Sequence, residues 1–308
     1  MTVLGANGFL GKRIASAAAH RGWRVFAVDR FRQGLPVQKT DALVPVVVDT
    51  SNPSSAIHVF PESDWVIDCL PESNPLDAQR VGPSEVSNLV KKKSEIFRLV
   101  AGESDAKYVY LSSGGTVYGE SPPEGSRETD ALDPQSVYGT IKCRLENELA
   151  NLSESALLDS VILRISTVFG PRSKNTTSQG FVHNALLAAG EGRPIKVFGD
   201  GAMVRDYIYV DDVADVLLDI LESPRKHRIY NVGSGHGTSI SKMVGTLKTV
   251  LPHLATEYGG PAPEGFVQRS ILNIDRLQKA LGPLSLRNVR EGLDAHLAEI
   301  RIAKNRRT

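Results

Sequence analysis

The chain has 308 residues, of which 41% are hydrophobic and 23% charged, and its formal net charge is +1 at pH 7. This length is enough for one large α/β domain, or for such a domain with a smaller lobe. The near-neutral charge argues against nucleic acid or a membrane surface as the main partner, and no apolar run approaches the ~20 residues that span a bilayer.

The first eleven residues join a short apolar run to a glycine-rich turn and a helix-forming segment. Gly5, Gly8 and Gly11 follow a G-x-x-G-x-x-G spacing that includes Phe9 and Leu10. Such a turn lets backbone N–H groups approach a pyrophosphate, which then lies at the positive end of the following helix. A glycine triplet alone is also typical of an ordinary tight turn, so its meaning depends on the residues that come after it in the chain.

A second apolar run, residues 23–28, ends at Asp29, eighteen residues after Gly11. A carboxylate at this position accepts hydrogen bonds from both adenosine ribose hydroxyls and repels a 2′-phosphate. The two motifs together predict NAD rather than NADP as the cofactor. Arg30 and Arg32 leave that choice open, because an arginine here suits a phosphate but is equally typical of a solvated loop.

The nucleotide-binding motif begins almost at Met1, so we expect no secretory leader, and the very short first strand indicates a chain that starts a few residues late. The two cysteines, Cys69 and Cys143, are 74 positions apart and lack the spacing of metal ligands. We therefore predict reduced thiols, a cytoplasmic location and no bound metal.

Apolar runs typical of strands alternate with helical segments through the first half of the chain. This alternation predicts an α/β Rossmann fold, a doubly wound parallel sheet wrapped by helices. The predicted strands are Met1–Leu4, Arg24–Val28, Leu43–Val48, Trp65–Leu70, Tyr108–Leu111 and Ser160–Ile165. The predicted helices are Gly11–His20, Glu85–Val100 and Val137–Leu152.

The pattern becomes less regular after a polar loop at residues 173–180. We interpret residues 1–166 as an NAD-binding Rossmann domain and residues 167–308 as a smaller C-terminal α/β lobe that binds the substrate. The segment 204–222 again has the pattern of a strand followed by a helix, and we predict that it returns to the large domain.

Tyr138 and Lys142 are four residues apart in a helix-forming segment, which places the phenol and the ammonium on one helix face. A lysine charge beside a tyrosine favours the phenolate, so the pKa of Tyr138 is predicted to fall from ~10 toward neutrality, and the tyrosine becomes a usable general base. The pair follows an apolar strand that opens into a hydroxyl- and glycine-rich loop at residues 112–119. Ligands of such sheets bind at the carboxyl ends of strands.

These motifs resemble those of the extended short-chain dehydrogenase/reductases. Within them the chain is most similar to the NAD-dependent nucleotide-sugar epimerase/dehydratase group, of which UDP-glucose 4-epimerase is the type. The resemblance runs in order over nearly the whole chain. It rests on Gly5–Gly11, Asp29, Asp49, Ser112–Gly119, Tyr138 with Lys142, Leu163-Arg164 with Val168–Pro171, Gly199–Gly201 and Arg205–Tyr207.

The resemblance implies a bound NAD, with the adenine near Asp49 and Thr50 and the rest of the cofactor along Leu70 and Pro71. It also implies that Tyr138 takes the proton from a sugar hydroxyl while Lys142 holds the nicotinamide ribose. The full set of implied cofactor residues is Gly5, Gly8, Phe9, Leu10, Gly11, Asp29, Arg30, Asp49, Thr50, Leu70, Pro71, Ser112, Tyr138 and Lys142.

For a nucleotide-sugar substrate, the resemblance implies that Arg205 binds the diphosphate, and a guanidinium fork matches phosphate oxygens. Arg269 is a candidate for a second phosphate contact or a surface charge. Val197 fits either the edge of the base pocket or a core strand. Thr116 and Thr167 complete the candidate substrate residues.

The chain departs from the family pattern at three places. Gly114 occupies the position of the catalytic Ser/Thr, so Thr116 or Ser113 must supply the hydroxyl that bonds the reacting sugar oxygen. Thr167 stands where an asparagine commonly approaches the substrate phosphate. The segment 68–72 replaces the usual small residues after the fourth strand, so we expect an altered bed for the cofactor.

Dehydratases of the family carry an Asp-Glu pair, and decarboxylases a glutamate, where this chain has Gly115 and Thr116. We therefore predict a UDP-hexose 4-epimerase. In that reaction Tyr138 deprotonates the 4-hydroxyl, NAD accepts the C4 hydride, and the keto-sugar turns over before the hydride returns to its other face. The alternatives are an NAD(P)-dependent nucleotide-sugar reductase or dehydrogenase, and a non-catalytic NAD-binding regulatory or scaffold relative. The resemblance also implies a homodimer that pairs through Glu85–Val100 and Val137–Leu152.

Overall fold

The structure is a computed structural model that describes residues 1–30, 42–49, 52–73, 75–172, 180–262 and 264–305. Its strands are β1 (Thr2–Leu4), β2 (Val25–Asp29), β3 (Leu43–Val47), β4 (Trp65–Asp68), β5 (Lys107–Ser113), β6 (Ser160–Ile165), β7 (Thr167–Phe169), β8 (Ile195–Val197), β9 (Val204–Tyr209), β10 (Ile229–Val232), β11 (Gly237–Ser239), β12 (Thr256–Tyr258) and β13 (Arg269–Ser270). Its helices are α1 (Phe9–His20), α2 (Pro75–Ala78), α3 (Pro83–Glu103), α4 (Gly114–Val117), α5 (Val137–Glu154), α6 (Phe181–Glu191), α7 (Val210–Glu222), α8 (Ile240–Val250), α9 (Asp275–Leu281) and α10 (Val289–Asn305), with a 3-10 helix at Pro53–Val59.

Seven parallel strands form the large sheet, in the order β10-β6-β5-β4-β1-β2-β3. In the middle of the sheet, Val3 of β1 pairs with Ala27 of β2 on one side and with Ile67 of β4 on the other. Strands of a parallel sheet are covered by helices on both faces, so they form continuous apolar runs in the sequence. The predicted α/β Rossmann fold is confirmed.

Two helix pairs cover the two faces of this sheet. On one face α1 and α7 pack together, and Ile14 and Leu217 are fully buried against Val3. On the other face α3 and α5 pack together, with Phe97 and Leu145 fully buried. The buried side chains of α1 follow the spacing of one helix face, whereas α7 is buried around most of its circumference.

A second sheet has four strands, in which β9 pairs with β7, β11 and β13. The strands β8 and β12 form a separate pair. The segment 204–222 is divided between the two parts of the fold: β9 lies in this second sheet, whereas α7 packs on α1 of the large domain. Beyond that segment, β10 also joins the large sheet by pairing with β6. The chain therefore crosses between the two parts more than once. The division of the chain at residue 166 stays a prediction.

Among the described residues, no helix has both the length and the apolar character needed to cross a membrane. In the same part of the chain, no group of three or more His, Cys, Asp or Glu side chains is placed to hold a metal ion. Cys69 and Cys143 are free thiols, and burial raises the pKa of both, that of Cys143 to about 12. The cytoplasmic location and the homodimer stay predictions.

Candidate active site

The glycine turn connects β1 to α1 through a contact that leaves no room for side chains. Gly5 has a φ of +73°, and a Cβ atom on Gly11 would lie 2.2 Å from the carbonyl oxygen of Gly5. The N-cap residue of α1 is Gly8, which supplies no side-chain cap to the first turn. A ligand can come close to the backbone N–H groups of this uncapped helix N-terminus. Such a helix end suits the pyrophosphate of NAD.

Asp29 lies beside this turn, at the carboxyl end of β2. Its Oδ2 accepts a hydrogen bond from the backbone N–H of Asn7 at 2.9 Å, and its Oδ1 accepts one from that of Arg30 at 2.7 Å. These bonds hold the carboxylate where an adenosine ribose is expected, and a carboxylate oxygen can accept more than one hydrogen bond.

A small apolar cleft lies next to Asp29, on the side of the sheet edge where the adenine is expected. Val28, Val48 and Leu70 line it, with Phe60 on the 3-10 helix side. Asp49 follows Val48 directly in the chain. Pro71 is exposed beyond Leu70. Thr50, which the sequence also assigns to the adenine, lies outside the described residues.

Tyr138 and Lys142 lie in the first turns of α5, whose N-cap Ser136 accepts a hydrogen bond from the N–H of Gly139 at 3.1 Å. The Lys142 Nζ is 5.6 Å from the centre of the Tyr138 ring. It also donates a hydrogen bond to the carbonyl oxygen of Leu111 at 3.0 Å. The pair therefore meets the carboxyl end of β5, which is the position that the sequence predicts.

The electrostatics of Tyr138 differ from the prediction. Burial raises the pKa of its phenol above the ordinary value, the charge of Lys142 lowers it, and the charge of Glu72 raises it again. The predicted fall of the Tyr138 pKa toward neutrality is therefore wrong for the chain without ligands. Moving a phenolate out of water costs more free energy than the charge of Lys142 restores, because Glu72 neutralises part of that charge.

The missing side chain at position 114 has a packing reason. A Cβ atom on Gly114 would lie 2.7 Å from Cδ1 of Leu272 and 3.0 Å from the carbonyl oxygen of Arg164. Leu272 is 1% exposed, so it has little freedom to move aside. A leucine methyl group thus fills the space that a serine side chain at this position would need.

Three hydroxyl groups surround Gly114. Ser113 and Thr116 are half-buried, and the Thr116 hydroxyl donates a hydrogen bond to the carbonyl oxygen of Ser113 at 3.3 Å. The third hydroxyl belongs to Ser270 of β13 and donates to the carbonyl oxygen of Gly115 at 3.4 Å. The sequence did not indicate Ser270, because it is more than 150 residues from the loop that it contacts.

Ser112 belongs to a buried network behind the loop. Its hydroxyl donates to Oε1 of Glu146 at 2.5 Å, and the Glu146 carboxylate pairs with Arg164 at 2.6 Å. Arg164 in turn donates to the hydroxyl oxygen of Tyr118 at 2.8 Å. The Ser112 hydroxyl proton is therefore committed to α5, which leaves its other atoms for the predicted cofactor contact.

The candidate substrate residues gather around β9. Thr167 of β7 pairs with Tyr207 of β9, two positions from Arg205, and Arg269 of β13 pairs with Val204. The Arg205 guanidinium donates to the carbonyl oxygens of Val204 at 2.8 Å and Val267 at 2.9 Å. Burial lowers the pKa of Arg205.

Val197 at the end of β8 is 1% exposed and packs in an apolar cluster with Met203 and Ile240. This packing favours the core-strand interpretation of Val197 over a place at the edge of a base pocket. Thr167, Arg205 and Arg269 are each half-buried, so they remain accessible to a ligand.

Glu72 is a charged residue at this site to which the sequence assigned no role. Its carboxylate lies 2.8 Å from Nζ of Lys142 and 3.3 Å from Nζ of Lys93, and its side chain is 1% exposed. The two lysines hold the pKa of Glu72 near 2. The signal in the sequence is the pair of acidic residues, Asp68 and Glu72, at the end of a buried strand.

A cavity of about 460 Å³ lies elsewhere, beside the start of β10. Arg127, Lys226, His227 and Arg276 are among the residues that line it. None of the predicted site residues lines this cavity, so the candidate site is the open edge where β1, β2, β4 and β5 end.

Comparison with known proteins finds relatives over most of the chain. Residues 1–233 match the model of the NAD dependent epimerase/dehydratase family. A dTDP-4-dehydro-6-deoxyglucose reductase of Escherichia coli is 31% identical over 195 residues, which are 63% of this chain and 61% of the relative. A UDP-glucose 4-epimerase of Mycolicibacterium smegmatis is 32% identical over 179 residues, which are 57% of this chain and 56% of the relative. The chain thus matches about three fifths of the length of these curated relatives.

Similarity to solved structures extends over nearly the whole chain. A UDP-glucose 4-epimerase of Thermotoga maritima, solved with UDP-glucose, has a TM-score of 0.85 and 25% identity, and the match covers 98% of this chain and 99% of that one. A UDP-glucose 4-epimerase of Thermus thermophilus, solved with NAD, has a TM-score of 0.77 and 26% identity, with the same two coverages of 98% and 99%. The glycine turn and Asp29 of this chain fit NAD, the cofactor of the matched family.

We predict that the chain binds NAD at least tenfold more tightly than NADP, a difference of about 1.4 kcal/mol. The reason is that a 2′-phosphate would meet the Asp29 carboxylate. Calorimetric titration with both cofactors measures the ratio, and Asp29→Asn, which removes the charge and keeps the shape, should narrow it. Equal affinities for the unaltered chain would show that Arg30 or Arg32 controls the choice instead.

We also predict that Gly114→Ser destabilises the chain by about 1–3 kcal/mol, because the new side chain overpacks against Leu272. Leu272→Ala removes the obstructing methyl groups but leaves a cavity. In the double variant the serine partly fills that cavity, so its loss of stability should be smaller than the sum of the two single losses. Denaturant unfolding of the four proteins measures this coupling, and strictly additive losses would contradict the packing explanation.

Proposed function

The chain belongs to the NAD-dependent epimerase/dehydratase family, and on that basis we propose that it epimerises a nucleotide sugar, as a UDP-hexose 4-epimerase. The observation that carries the proposal is the Tyr138–Lys142 pair at the carboxyl end of β5. The adjoining loop holds Gly115 and Thr116 rather than the acidic residues that a dehydration or decarboxylation needs.

Tyr138 is the proposed general base and acid. Its phenolate takes the proton of the sugar 4-hydroxyl while the hydride leaves C4, and the same phenol returns the proton when the hydride comes back to the opposite face. NAD, held by the glycine turn and Asp29, would supply the hydride acceptor and donor. Tyr138 would hold the proton only until it returns to the sugar, and the hydride would return as well, so the reaction would have no net consumption of cofactor.

Lys142 and the surrounding hydroxyls have supporting roles. The Lys142 ammonium offsets part of the cost of forming a buried phenolate. Thr116 or Ser113 orients the 4-oxygen of the sugar, because the glycine at position 114 has no hydroxyl group to do so. Arg205 is the proposed partner of the substrate diphosphate, and it exchanges its backbone carbonyl partners for phosphate oxygens when the substrate binds.

A nucleotide-sugar reductase is the second candidate. The observation in its favour is the 31% identity to the dTDP-4-dehydro-6-deoxyglucose reductase of Escherichia coli. A non-catalytic NAD-binding relative is a third candidate, motivated by the missing hydroxyl at Gly114. The three differ in what they do to the cofactor, and that difference can be measured.

For an epimerase, the purified protein should carry NAD and show no net change in cofactor absorbance while UDP- or dTDP-sugars are converted to their 4-epimers. Product analysis by NMR over a panel of such sugars identifies the substrate. A reductase would instead consume NADH or NADPH with a keto-sugar. A non-catalytic relative would do neither.

We predict that Tyr138→Phe lowers turnover by at least ~10²-fold, which is typical of losing a general base. The phenyl ring is kept, so the melting temperature and NAD binding should stay near those of the unaltered chain. Lys142→Met should abolish activity or move the working pH upward, because the phenolate loses its charge partner. Thr116→Val and Ser113→Ala then separate the two candidate hydroxyls. Unaltered turnover in Tyr138→Phe would rule out this mechanism.

A further inference from the structure

Four buried charges form a chain of ion pairs beneath Tyr138, which we call the Glu72 cluster: Asp68, Glu72, Lys93 and Lys142. Lys93 Nζ lies 2.7 Å from the Asp68 carboxylate and 3.3 Å from that of Glu72, and Lys142 Nζ lies 2.8 Å from Glu72. The four side chains are 0%, 1%, 4% and 6% exposed for Asp68, Glu72, Lys93 and Lys142. The charges alternate in sign along the chain of contacts.

Neutral groups complete the cluster. The hydroxyl of Tyr108 donates to Asp68 at 2.5 Å, and the hydroxyl of Tyr110 donates to Glu72 at 3.2 Å. Lys93 also donates to the carbonyl oxygen of Leu70 at 2.7 Å. Buried charges are tolerated only with partners of this kind. Glu72 is therefore held as a carboxylate, in a fixed place, against Lys142.

This arrangement changes what Lys142 does for Tyr138. The ammonium lies 2.8 Å from the Glu72 carboxylate and 5.6 Å from the centre of the Tyr138 ring, so both groups feel its charge. A negative charge in contact with the lysine cancels part of the field that the lysine exerts on the phenol. Glu72 also acts on Tyr138 directly, and both effects disfavour the phenolate.

We propose that Glu72 is a positioning residue that fixes the Lys142 ammonium and weakens its action on Tyr138, so that it sets the pH at which Tyr138 works as a base. The proposal rests on the proposed function in one respect, namely that Tyr138 is the base. Among the described residues, the charged and titratable groups that act on Tyr138 include Lys142 from α5, Glu72 from the segment after β4, Lys93 from α3 and Tyr110 from β5.

The test is a titration of the Tyr138 phenol in the protein without substrate. Tyrosinate absorbance is followed against pH, and the curve of the matching Tyr138→Phe protein is subtracted so that only Tyr138 remains. Glu72→Gln keeps the shape of the side chain and an oxygen for Lys142 but removes the charge. We expect the Tyr138 midpoint to move down by about one pH unit.

Two further variants sharpen the test. Glu72→Asp keeps the charge but withdraws it by one methylene, so its downward shift should be smaller than that of Glu72→Gln. Asp212→Asn removes a different buried carboxylate, one that pairs with Arg287 and is 3% exposed, and it should leave the Tyr138 midpoint in place. Circular dichroism melting establishes that each variant is folded.

An unchanged midpoint in folded Glu72→Gln would overturn the proposal, and so would an equal shift in Asp212→Asn. If Glu72→Gln does not fold, Glu72→Asp decides the matter, and an unchanged midpoint there overturns it as well. Under the proposal, the low-pH limb of turnover moves down with the phenol midpoint. A shifted midpoint in a protein that converts no sugar would contradict the proposed function and leave the role of Glu72 standing.

Discussion

Parallel pairing of the central strands brings the carboxyl ends of β2, β1, β4 and β5 to one edge of the sheet, and the cofactor side of the candidate site, with the Tyr138–Lys142 pair, depends on this placement. The glycine turn follows β1, Asp29 ends β2, Glu72 follows β4, and the hydroxyl-rich loop follows β5. These residues are distant in sequence. They meet because each parallel strand needs a crossover that returns the chain to the same starting edge.

Burial then decides the chemistry at that edge. A phenol that is to act as a base near neutral pH must form an anion, and a site that excludes water opposes this. Lys142 offsets that cost only in part, since its ammonium is shared between Tyr138, Glu72 and the carbonyl oxygen of Leu111. The pKa of Tyr138 thus depends on three charges from different parts of the fold: Lys142 of α5, Lys93 of α3 and Glu72 of the segment after β4.

The parts of the site that follow from local sequence were predictable, and the parts that follow from distant contacts were not. The Tyr138–Lys142 spacing fixes a shared helix face, and the Gly5–Gly11 spacing fixes the turn. The contact of Glu72 with Lys142 joins residues seventy positions apart. The pKa of Tyr138 has the opposite direction from the prediction because that contact and the burial are absent from any local pattern.

The fold shows the same division. Continuous apolar runs revealed six strands of the large sheet, since helices cover both faces. The seventh, β10, follows α7, far beyond the predicted domain boundary at residue 166, and nothing local indicates that it pairs with β6. Gly114 looked like a lost hydroxyl in the sequence, and only the structure shows that Leu272, from the far end of the chain, occupies the space.

Leu272 has a mechanical consequence as well. With Ile274 and Leu277 it belongs to the same buried apolar cluster as Val3 and Leu163 of the large sheet. The backbone N–H of Leu272 donates a hydrogen bond to Oδ2 of Asp206 in β9 at 3.3 Å. The segment from Leu272 to Leu277 therefore packs in the core of the large sheet, whereas β7, α6 and α8 of the smaller lobe pack in an apolar cluster of their own. A rotation of the lobe that carried this segment away from the sheet would expose those apolar side chains to water, which opposes such a motion.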